Sequence, residues 1–281
     1  MELITLLLTT IFLLAGIVGT AVTYILCDGL SLWWALLTIP AYYLAAVILY
    51  VIWLFVTILL TDGTDPSPRL KRFYQWCEVH TMNWVLILLG VKYSLQGAEK
   101  IPTDRPYLLV CNHRSAFDPM TTVATFKKWQ LCFVCKPEIF KVPIFGAAMK
   151  RAGFFPIDRD NPRNAVTAIK HAAHVITEQG RSVGIYPEGT RTTGEGDMLP
   201  FHAGSFRCAL KAKCAIVPVA FIDCFKVLDQ KGSKPLTVQI HYLDPIPFEE
   251  YAHLKTTELA ALVQQRIAEK ITECTTETDL I

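Results

Sequence analysis

Two long stretches without a charged residue open the chain, at residues 3–27 and 29–61. Each exceeds the roughly 20 apolar residues that a helix needs to cross the hydrocarbon core of a bilayer. Asp28 and Gly29 lie at the junction and can form a tight polar turn. The sequence therefore predicts an N-terminal transmembrane helical hairpin over residues 1–61.

The charges beside these stretches predict the orientation of the chain. Three basic residues, Arg69, Lys71 and Arg72, follow the second stretch. Basic residues near the ends of membrane helices favour the cytoplasm. We therefore expect an integral membrane protein whose folded domain lies on the cytoplasmic face. The first stretch lacks a basic start and a clear small-residue cleavage site, which disfavours a cleaved signal peptide.

Composition limits the partners and cofactors that we expect. The formal net charge is +2 and the chain shows no basic stripe, so nothing indicates nucleic acid as a partner. The nine cysteines follow neither a disulfide nor a zinc-site spacing, which is typical of a protein in a reducing compartment. We expect no metal site.

A turn-rich segment at residues 62–68 separates the apolar stretches from the rest of the chain. After it, residues 70–89 combine Phe73, Trp76 and Trp84 with aliphatic residues. This pattern is typical of a helix at a membrane interface, and equally of a core helix in the following domain. We assign residues 62–95 to a linker and an interfacial amphipathic helix, and both interpretations of the helix stay open.

Residues 96–281 alternate short apolar runs with helical stretches. The predicted strands are residues 107–111, 131–135, 153–158, 182–186, 216–221 and 236–242. The predicted helices are residues 119–129, 144–151, 164–178, 203–212 and 257–272. This alternation predicts an α/β domain with a largely parallel mixed sheet flanked by helices. Ligands of such sheets bind beyond the carboxyl ends of the strands, so the strand exits are the candidate sites.

The first strand exit brings a histidine and a carboxylate close together in sequence. Asn112 and His113 follow the strand directly, and Asp118 stands at the predicted start of the next helix. If the histidine lies in the corner and the aspartate in the first helical turn, their side chains can meet. A histidine bound to a carboxylate through one ring nitrogen presents the other as a base. His113 and Asp118 are therefore a candidate catalytic pair that deprotonates an alcohol.

The same residues also have other interpretations. Asp118 precedes Pro119 and can cap a helix, and Ser115 can complete a capping box with it. His113 can be a core histidine whose hydrogen bonds are satisfied. Cys111 lies two residues before His113 and is a conceivable nucleophile, although apolar packing also explains a cysteine at the end of a strand.

Further strand exits each supply a cation. Lys136, Arg159 and Arg191 all follow predicted strands. Beside Arg191, Gly189 permits a sharp bend and Thr190 adds a hydroxyl. Lysine and the forked guanidinium of arginine are common phosphate ligands. At one edge of the sheet, these side chains would form a pocket for a phosphomonoester next to the candidate base.

Together these segments resemble the 1-acyl-sn-glycerol-3-phosphate acyltransferase family. Residues 112–118, with the pattern Asn-His-x-x-x-x-Asp, are similar to its first motif. The similarity continues in family order, with the second motif at residues 136–137 and 153–159, the third at 186–192 and the fourth at 217–219. It covers about residues 96–243.

This resemblance implies an acyltransferase that moves a fatty acyl group from acyl-CoA or acyl-carrier protein to the 2-hydroxyl of 1-acyl-sn-glycerol-3-phosphate, giving phosphatidic acid. It implies that His113 is the general base and that Asp118 fixes its tautomer. Lys136, Arg159 and Arg191 are implied to bind the phosphate of the acceptor. The further substrate-binding residues that it implies are Asn112, Glu188, Gly189, Thr190 and Pro218. It implies neither a metal nor an organic cofactor, and the lipid bilayer is the remaining partner.

Other functions stay open at the level of sequence. The acceptor can be another lysophospholipid or glycerol-3-phosphate. A membrane-tethered lipid-binding module needs the cationic strand exits but not His113. A thioesterase or lipase needs an activated nucleophile, such as the serine of a Gly-x-Ser-x-Gly motif.

Overall fold

A computed structural model of the chain describes residues 2–26, 32–64, 66–125, 131–158, 161–192, 198–222, 224, 226 and 237–278. Its centre is a sheet of strands β1 (Lys92–Gln96), β2 (Tyr107–Cys111), β3 (Leu131–Cys135), β4 (Phe155–Pro156), β5 (Ser182–Ile185), β6 (Ala215–Ile222) and β7 (Thr237–Tyr242). Their spatial order is β1-β7-β6-β2-β5-β3-β4. Among these strands the β6–β7 pairing is antiparallel and the other five pairings are parallel, which confirms the predicted sheet.

Helices cover both faces of the sheet. One face, called the α3 face here, carries helices α3 (Pro68–Leu88), α4 (Phe117–Thr125) and α5 (Phe145–Ala152). The opposite α6 face carries α6 (Pro162–Thr177), α7 (Arg207–Ala212), α8 (Phe248–Tyr251) and α9 (Thr256–Thr278). Short 3-10 helices lie at Ala98–Lys100, Pro137–Lys141 and Ala203–Phe206. Neighbouring residues of one strand serve different cores, since Leu109 faces α3 and Leu108 faces α6.

Local sequence signals set the starts of two of these helices. Ser67 accepts a hydrogen bond from the main-chain N–H of Leu70, and Pro68 takes the first position of α3. In α6 the side chain of Asn161 accepts hydrogen bonds from the N–H groups of Arg163 and Asn164. Both helices therefore begin two residues earlier than predicted, at the proline after the cap.

One observed strand was not predicted, and two predicted elements differ clearly in extent from the observed ones. Strand β1 was not predicted, because it is a short edge strand with polar residues that pairs with β7 alone among the described strands. The strand predicted over residues 153–158 is paired at 155–156, because Gly153 is the left-handed cap of α5 and β4 is an edge strand. The helix predicted over 119–129 begins at Phe117, and residues 126–130 lie outside the described part.

Two N-terminal helices precede the α/β domain: α1 (Glu2–Leu26) and α2 (Leu32–Leu59). The hydroxyl oxygens of Thr20 in α1 and Thr38 in α2 lie 2.8 Å apart. In the described part of the chain, the stretch Pro40–Leu59 is the one helix long and apolar enough to cross a membrane. Large apolar residues such as Leu44 and Leu49 are exposed along it.

Helix α2 runs antiparallel to α3 along most of its length. Near one end the indole N–H of Trp84 donates to the hydroxyl of Tyr43, and near the other the hydroxyls of Thr61 and Tyr74 lie 2.9 Å apart. Tyr74 is fully buried, and α3 contributes much of the core on its face. Helix α3 is therefore a core helix of the α/β domain. Exposed apolar residues follow at its C-terminal end, at positions 87–89.

A guanidinium from α5 satisfies the C-terminal end of α2. Arg151 donates through Nη2 to the carbonyl oxygens of Ile58, at 2.8 Å, and Thr61, at 2.6 Å. Its Nε donates to the hydroxyl of Thr61 at 2.9 Å. The last carbonyls of a helix lack partners within the helix and carry partial negative charge, so a cation binds well there. Arg151 thus joins the apolar N-terminal helices to the α/β domain.

Replacing Arg151 with alanine is expected to loosen this junction. The change removes charge-assisted hydrogen bonds to the end of α2 and costs roughly 3 kcal/mol. We expect a lower thermal unfolding midpoint in detergent and earlier proteolysis between α2 and α3. Lys150→Ala, on an exposed neighbour in the same helix, is the control. Equal midpoints for the two variants would contradict the role assigned to Arg151.

Candidate active site

The sheet opens a crevice where the exits of β2 and β5 lie side by side. The connection from β2 to β3 passes over the α3 face through α4, and the connection from β5 to β6 passes over the α6 face through α7. Adjacent strands whose connections leave on opposite faces leave a gap at their carboxyl ends, which is where ligands of such sheets bind. The segments after these two strands are the ones that the sequence analysis singled out.

His113 and Asp118 meet at the exit of β2. Nδ1 of the imidazole lies 2.9 Å from Oδ2 of the carboxylate. The His113 side chain is 15% exposed and that of Asp118 is fully buried. The structure therefore brings the two candidate catalytic side chains together, and the catalytic roles themselves stay predictions.

The main chain before α4 explains how residues five apart can meet. Oδ2 of Asp118 accepts hydrogen bonds from the N–H groups of Arg114, at 2.6 Å, and Ser115, at 2.7 Å. The Ser115 hydroxyl in turn accepts from the N–H of Phe117, where the helix begins. The carboxylate is thus folded back over the loop that carries His113. Asp118 can therefore be both a helix-capping residue and the partner of a catalytic histidine, because one of its oxygens binds both the loop and the imidazole.

Glu188 ties the exit of β5 to the exit of β2. Its Oε1 accepts a hydrogen bond from the main-chain N–H of His113, and its Oε2 accepts from the hydroxyl of Thr192 at 2.8 Å and the N–H of Leu199 at 3.1 Å. The N–H of Thr192 donates to the carbonyl of His113 at 3.0 Å. Glu188 is 3% exposed. Its carboxylate therefore positions the histidine rather than facing the crevice.

Two further predicted substrate-binding residues lie within the sheet. The side-chain amide of Asn112 donates to the carbonyl of Phe221 at 3.0 Å and accepts from its N–H at 2.7 Å. Asn112 is fully buried and so continues the pairing of β2 with β6 by one residue. Pro218 is buried in β6 opposite Val110. The structure brings neither residue into the cavity that contains His113.

A cavity of about 590 Å³ on the α3 face has His113 in its wall. Lys136, Thr190 and Arg191 border it as well, so three of the predicted binding residues lie with the candidate base. Its apolar wall is formed by residues from several elements, among them Met82, Met120, Val123, Phe133, Phe145, Met149 and Phe154. This space, called the His113 cavity below, joins cations to a long apolar surface. Arg159 lies outside the described residues.

Gly189 allows the tight turn that follows β5. Its φ of 77° is in the left-handed region, where a side chain would be strained. Its N–H donates to the carbonyl of Tyr186 at 3.2 Å, which closes the turn. The turn directs the next two residues, Thr190 and Arg191, to the His113 cavity.

Tyr186 is a site residue that the sequence analysis missed. Its ring centroid lies 4.5 Å from that of His113, and its hydroxyl lies 3.1 Å from the hydroxyl of Thr122. Burial raises the pKa of its phenol well above the ordinary value, so the ring packs against the imidazole as a neutral group. Its position as the first residue of the third motif was the available signal.

Glu78 is a second residue that the analysis missed. It lies on α3, is 5% exposed and lines the His113 cavity. Burial raises the pKa of its carboxyl well above the ordinary value, and the charge of Arg181 opposes this only in part. Oε1 has no hydrogen-bond partner within the described structure. One turn earlier, Gln75 donates to the carbonyl of Leu131 at the start of β3, so Glu78 lies toward the end of the cavity remote from His113.

The structure disfavours both Cys111 and the serine of a Gly-x-Ser-x-Gly sequence as nucleophiles. The chain contains one Gly-x-Ser-x-Gly sequence, at residues 180–184, but Ser182 begins β5 at the edge opposite the crevice. Its buried hydroxyl accepts a hydrogen bond from the N–H of Tyr107. Cys111 is fully buried, and burial together with the Asp118 carboxylate raises the pKa of its thiol well above the ordinary value. Neither group is placed as an activated nucleophile.

Comparison with known proteins agrees with the resemblance of the motifs. The family model described as Acyltransferase matches residues 92–222. A 1-acyl-sn-glycerol-3-phosphate acyltransferase from Borreliella burgdorferi is 30% identical over 188 residues, which cover 66% of this chain and 74% of that protein. A protein of the same name from Limnanthes alba is 29% identical over 221 residues, covering 76% of this chain and 74% of that protein.

A solved structure shares the fold. The crystal structure of the 1-acyl-sn-glycerophosphate (LPA) acyltransferase PlsC from Thermotoga maritima superposes with a TM-score of 0.65. The match covers 83% of this chain and 92% of that chain, at 21% sequence identity. This likeness supports the α/β architecture described above.

Replacing Glu78 with glutamine is expected to stabilise the protein, increasingly so at higher pH. In the unfolded chain this carboxyl ionises near its ordinary pKa of 4.5, whereas burial raises its pKa in the folded protein. Stability is therefore lost as pH rises above 4.5. We expect a gain of roughly 1–3 kcal/mol near neutral pH, measured as the unfolding midpoint in detergent. The control is Glu138→Gln, on an exposed residue; equal pH profiles for the two variants would contradict this account.

Proposed function

The chain belongs to the 1-acyl-sn-glycerol-3-phosphate acyltransferase family, and we propose that it transfers a fatty acyl group from a thioester to the 2-hydroxyl of 1-acyl-sn-glycerol-3-phosphate. The product is phosphatidic acid, a precursor for phospholipid synthesis. One observation carries this proposal: His113, whose imidazole is bound to the buried Asp118, lies in the wall of a cavity that joins cations to an apolar surface.

In the proposed reaction His113 acts as a general base. Its Nδ1 is bound to Asp118, so Nε2 takes the proton from the acceptor hydroxyl. The oxygen attacks the thioester carbon, and the tetrahedral intermediate expels the thiolate. The imidazolium returns its proton to the departing sulfur. These steps are complete without an acyl-enzyme, a metal ion or an organic cofactor.

The acceptor's phosphate is proposed to bind the exposed cations beside His113. Lys136 and Arg191 border the same cavity as the imidazole, and Thr190 adds a hydroxyl to it. Arg159 is proposed as a third phosphate ligand because of its place in the second motif. Glu188 contributes by positioning the main chain of His113.

The donor's acyl chain is proposed to occupy the apolar part of the His113 cavity. Methionine, phenylalanine and aliphatic side chains form this part, and a fatty chain buried there leaves water. The donor is an acyl-CoA or an acyl-carrier protein. A chain that enters from the lipid side would pass α3, which supplies Met82 to the wall.

The N-terminal helices are proposed to form a hairpin that crosses the bilayer, with the catalytic domain on the cytoplasmic face. The apolar residues exposed along α2 and at the end of α3 would be covered by lipid. The basic residues after α2 favour the cytoplasmic side. The packing of α2 against α3 would place the cavity close to the membrane, where both lipid substrates reside.

Two alternatives differ from this function in what they require. Another lysophospholipid or glycerol-3-phosphate would use the same base and the same cations. A membrane-tethered lipid-binding module would need Lys136 and Arg191 but no base. The contact of Asp118 with Nδ1 of His113 favours chemistry over binding alone, because it orients the imidazole as a base, which a binding module does not require.

Replacing His113 with alanine is expected to lower turnover by about 10²–10⁴-fold, because the proton acceptor is lost. Asp118→Asn is expected to lower it as well, since an amide does not stabilise the imidazolium. The measurement is phosphatidic acid formed from lysophosphatidic acid and a long-chain acyl thioester, offered as CoA and as carrier-protein forms. His174→Ala, on an exposed histidine of α6, is the control. Full turnover in folded His113→Ala protein would exclude the proposed chemistry.

Protease protection in sealed right-side-out vesicles tests the membrane arrangement. Because the basic flank favours the cytoplasm, tags at both chain ends are expected to be protected, and a protease site inserted between α1 and α2 to be cleaved. Permeabilised vesicles provide the control, in which all three sites are cleaved. Protection of all three sites before permeabilisation would place both helices in one leaflet and contradict a crossing.

A further inference from the structure

A second cavity, of about 600 Å³, lies at the same edge of the sheet on the α6 face. Its walls come from α6, α7 and the segment after β5. Val166 and Ile169 of α6, together with Ile157 and Ile185, provide an apolar surface. We call this space the α6 cavity. None of the roles proposed above uses it.

The charged residues of the α6 cavity are all basic. Among the described residues that line it are Lys170, Arg207 and Lys211, and no carboxylate. All three are exposed, and none forms an ion pair with a carboxylate in the described structure. A cavity with an apolar wall and three uncompensated cations favours a ligand that combines a flat apolar group with several negative charges.

The α6 cavity and the His113 cavity meet at the exit of β5. Val134 and Tyr186 line both of them. Gly189 lines the α6 cavity, and the next residue, Thr190, lines the His113 cavity. A ligand with a flexible arm can therefore occupy the α6 cavity and reach His113 over the edge of the sheet, beside Tyr186.

We propose that the α6 cavity binds the phosphorylated adenosine of an acyl-CoA donor. The adenine would pack on the apolar wall, and the phosphates would contact Lys170, Arg207 and Lys211. The pantetheine arm would cross the sheet edge and place the thioester carbon beside His113. This assignment depends on the proposed transfer from a thioester and names CoA as its carrier. A cavity of this size suits a nucleotide better than the surface of a carrier protein.

An acyl donor that lacks the nucleotide distinguishes binding at the α6 cavity from the acyl-transfer reaction itself. A double variant, Arg207→Glu with Lys211→Glu, is assayed with a long-chain acyl-CoA and with the matching acyl-pantetheine. Because repulsion replaces attraction for the phosphates, kcat/KM for acyl-CoA is expected to fall by about tenfold or more. With acyl-pantetheine it is expected to stay within about twofold, as is the KM for the lysophospholipid acceptor. Lys150→Glu, an equal change of charge on the opposite face, is the control.

A binding measurement tests the site without turnover. Free CoA is expected to bind the His113→Ala protein in equilibrium dialysis, and its affinity to fall by about tenfold or more when Arg207 and Lys211 are also reversed. If the protein with His113 intact binds CoA but transfers no acyl group, the proposed function is wrong and this site still stands. Three results would contradict the proposed CoA site. The double variant could lose equal kcat/KM with acyl-CoA and acyl-pantetheine, or show a rise only in the KM for the acceptor. The protein could also be active with acyl-carrier protein alone.

Discussion

The arrangement of the active site depends on one carboxylate oxygen. Oδ2 of Asp118 accepts hydrogen bonds from two main-chain N–H groups and lies 2.9 Å from Nδ1 of His113. The first two contacts fold the loop, and the third orients the imidazole within it. Because Asp118 is fully buried, water does not compete for these bonds. The same carboxylate oxygen therefore sets both the start of α4 and the orientation of the imidazole.

A second buried carboxylate fixes the position of this loop relative to the next strand exit. Glu188 binds the main chain of His113 through one oxygen and the segment after β5 through the other. The two exits come from adjacent strands whose connections leave on opposite faces of the sheet. One cavity therefore lies on the α3 face and the other on the α6 face. Tyr186 borders both cavities and packs against His113. In the proposed reaction, these two cavities would hold the acyl chain and its carrier.

The apolar N-terminal helices contact this domain directly, in addition to being joined to it by the chain. Helix α2 packs along α3, and Arg151 of α5 binds the carbonyl groups at its end. The same α3 supplies Met82 and Glu78 to the His113 cavity. The burial of Glu78 raises the pKa of its carboxyl and leaves Oε1 without a hydrogen-bond partner in the described structure, so this residue costs stability.

The sequence by itself determined the sheet class, most of the elements, and the segments that form the site, because strand exits and polar motifs are local patterns. It also identified His113 and Asp118 as a possible pair. Only the tertiary structure showed that they meet, that Asn112 and Glu188 turn inward to bind main-chain groups, and that Glu78 and Tyr186 belong to the cavity. The edge strand β1 and the core position of α3 were likewise decided by packing. The physical reason is that a side chain's partner across the fold is set by which elements pack together, and that information is not local in the chain.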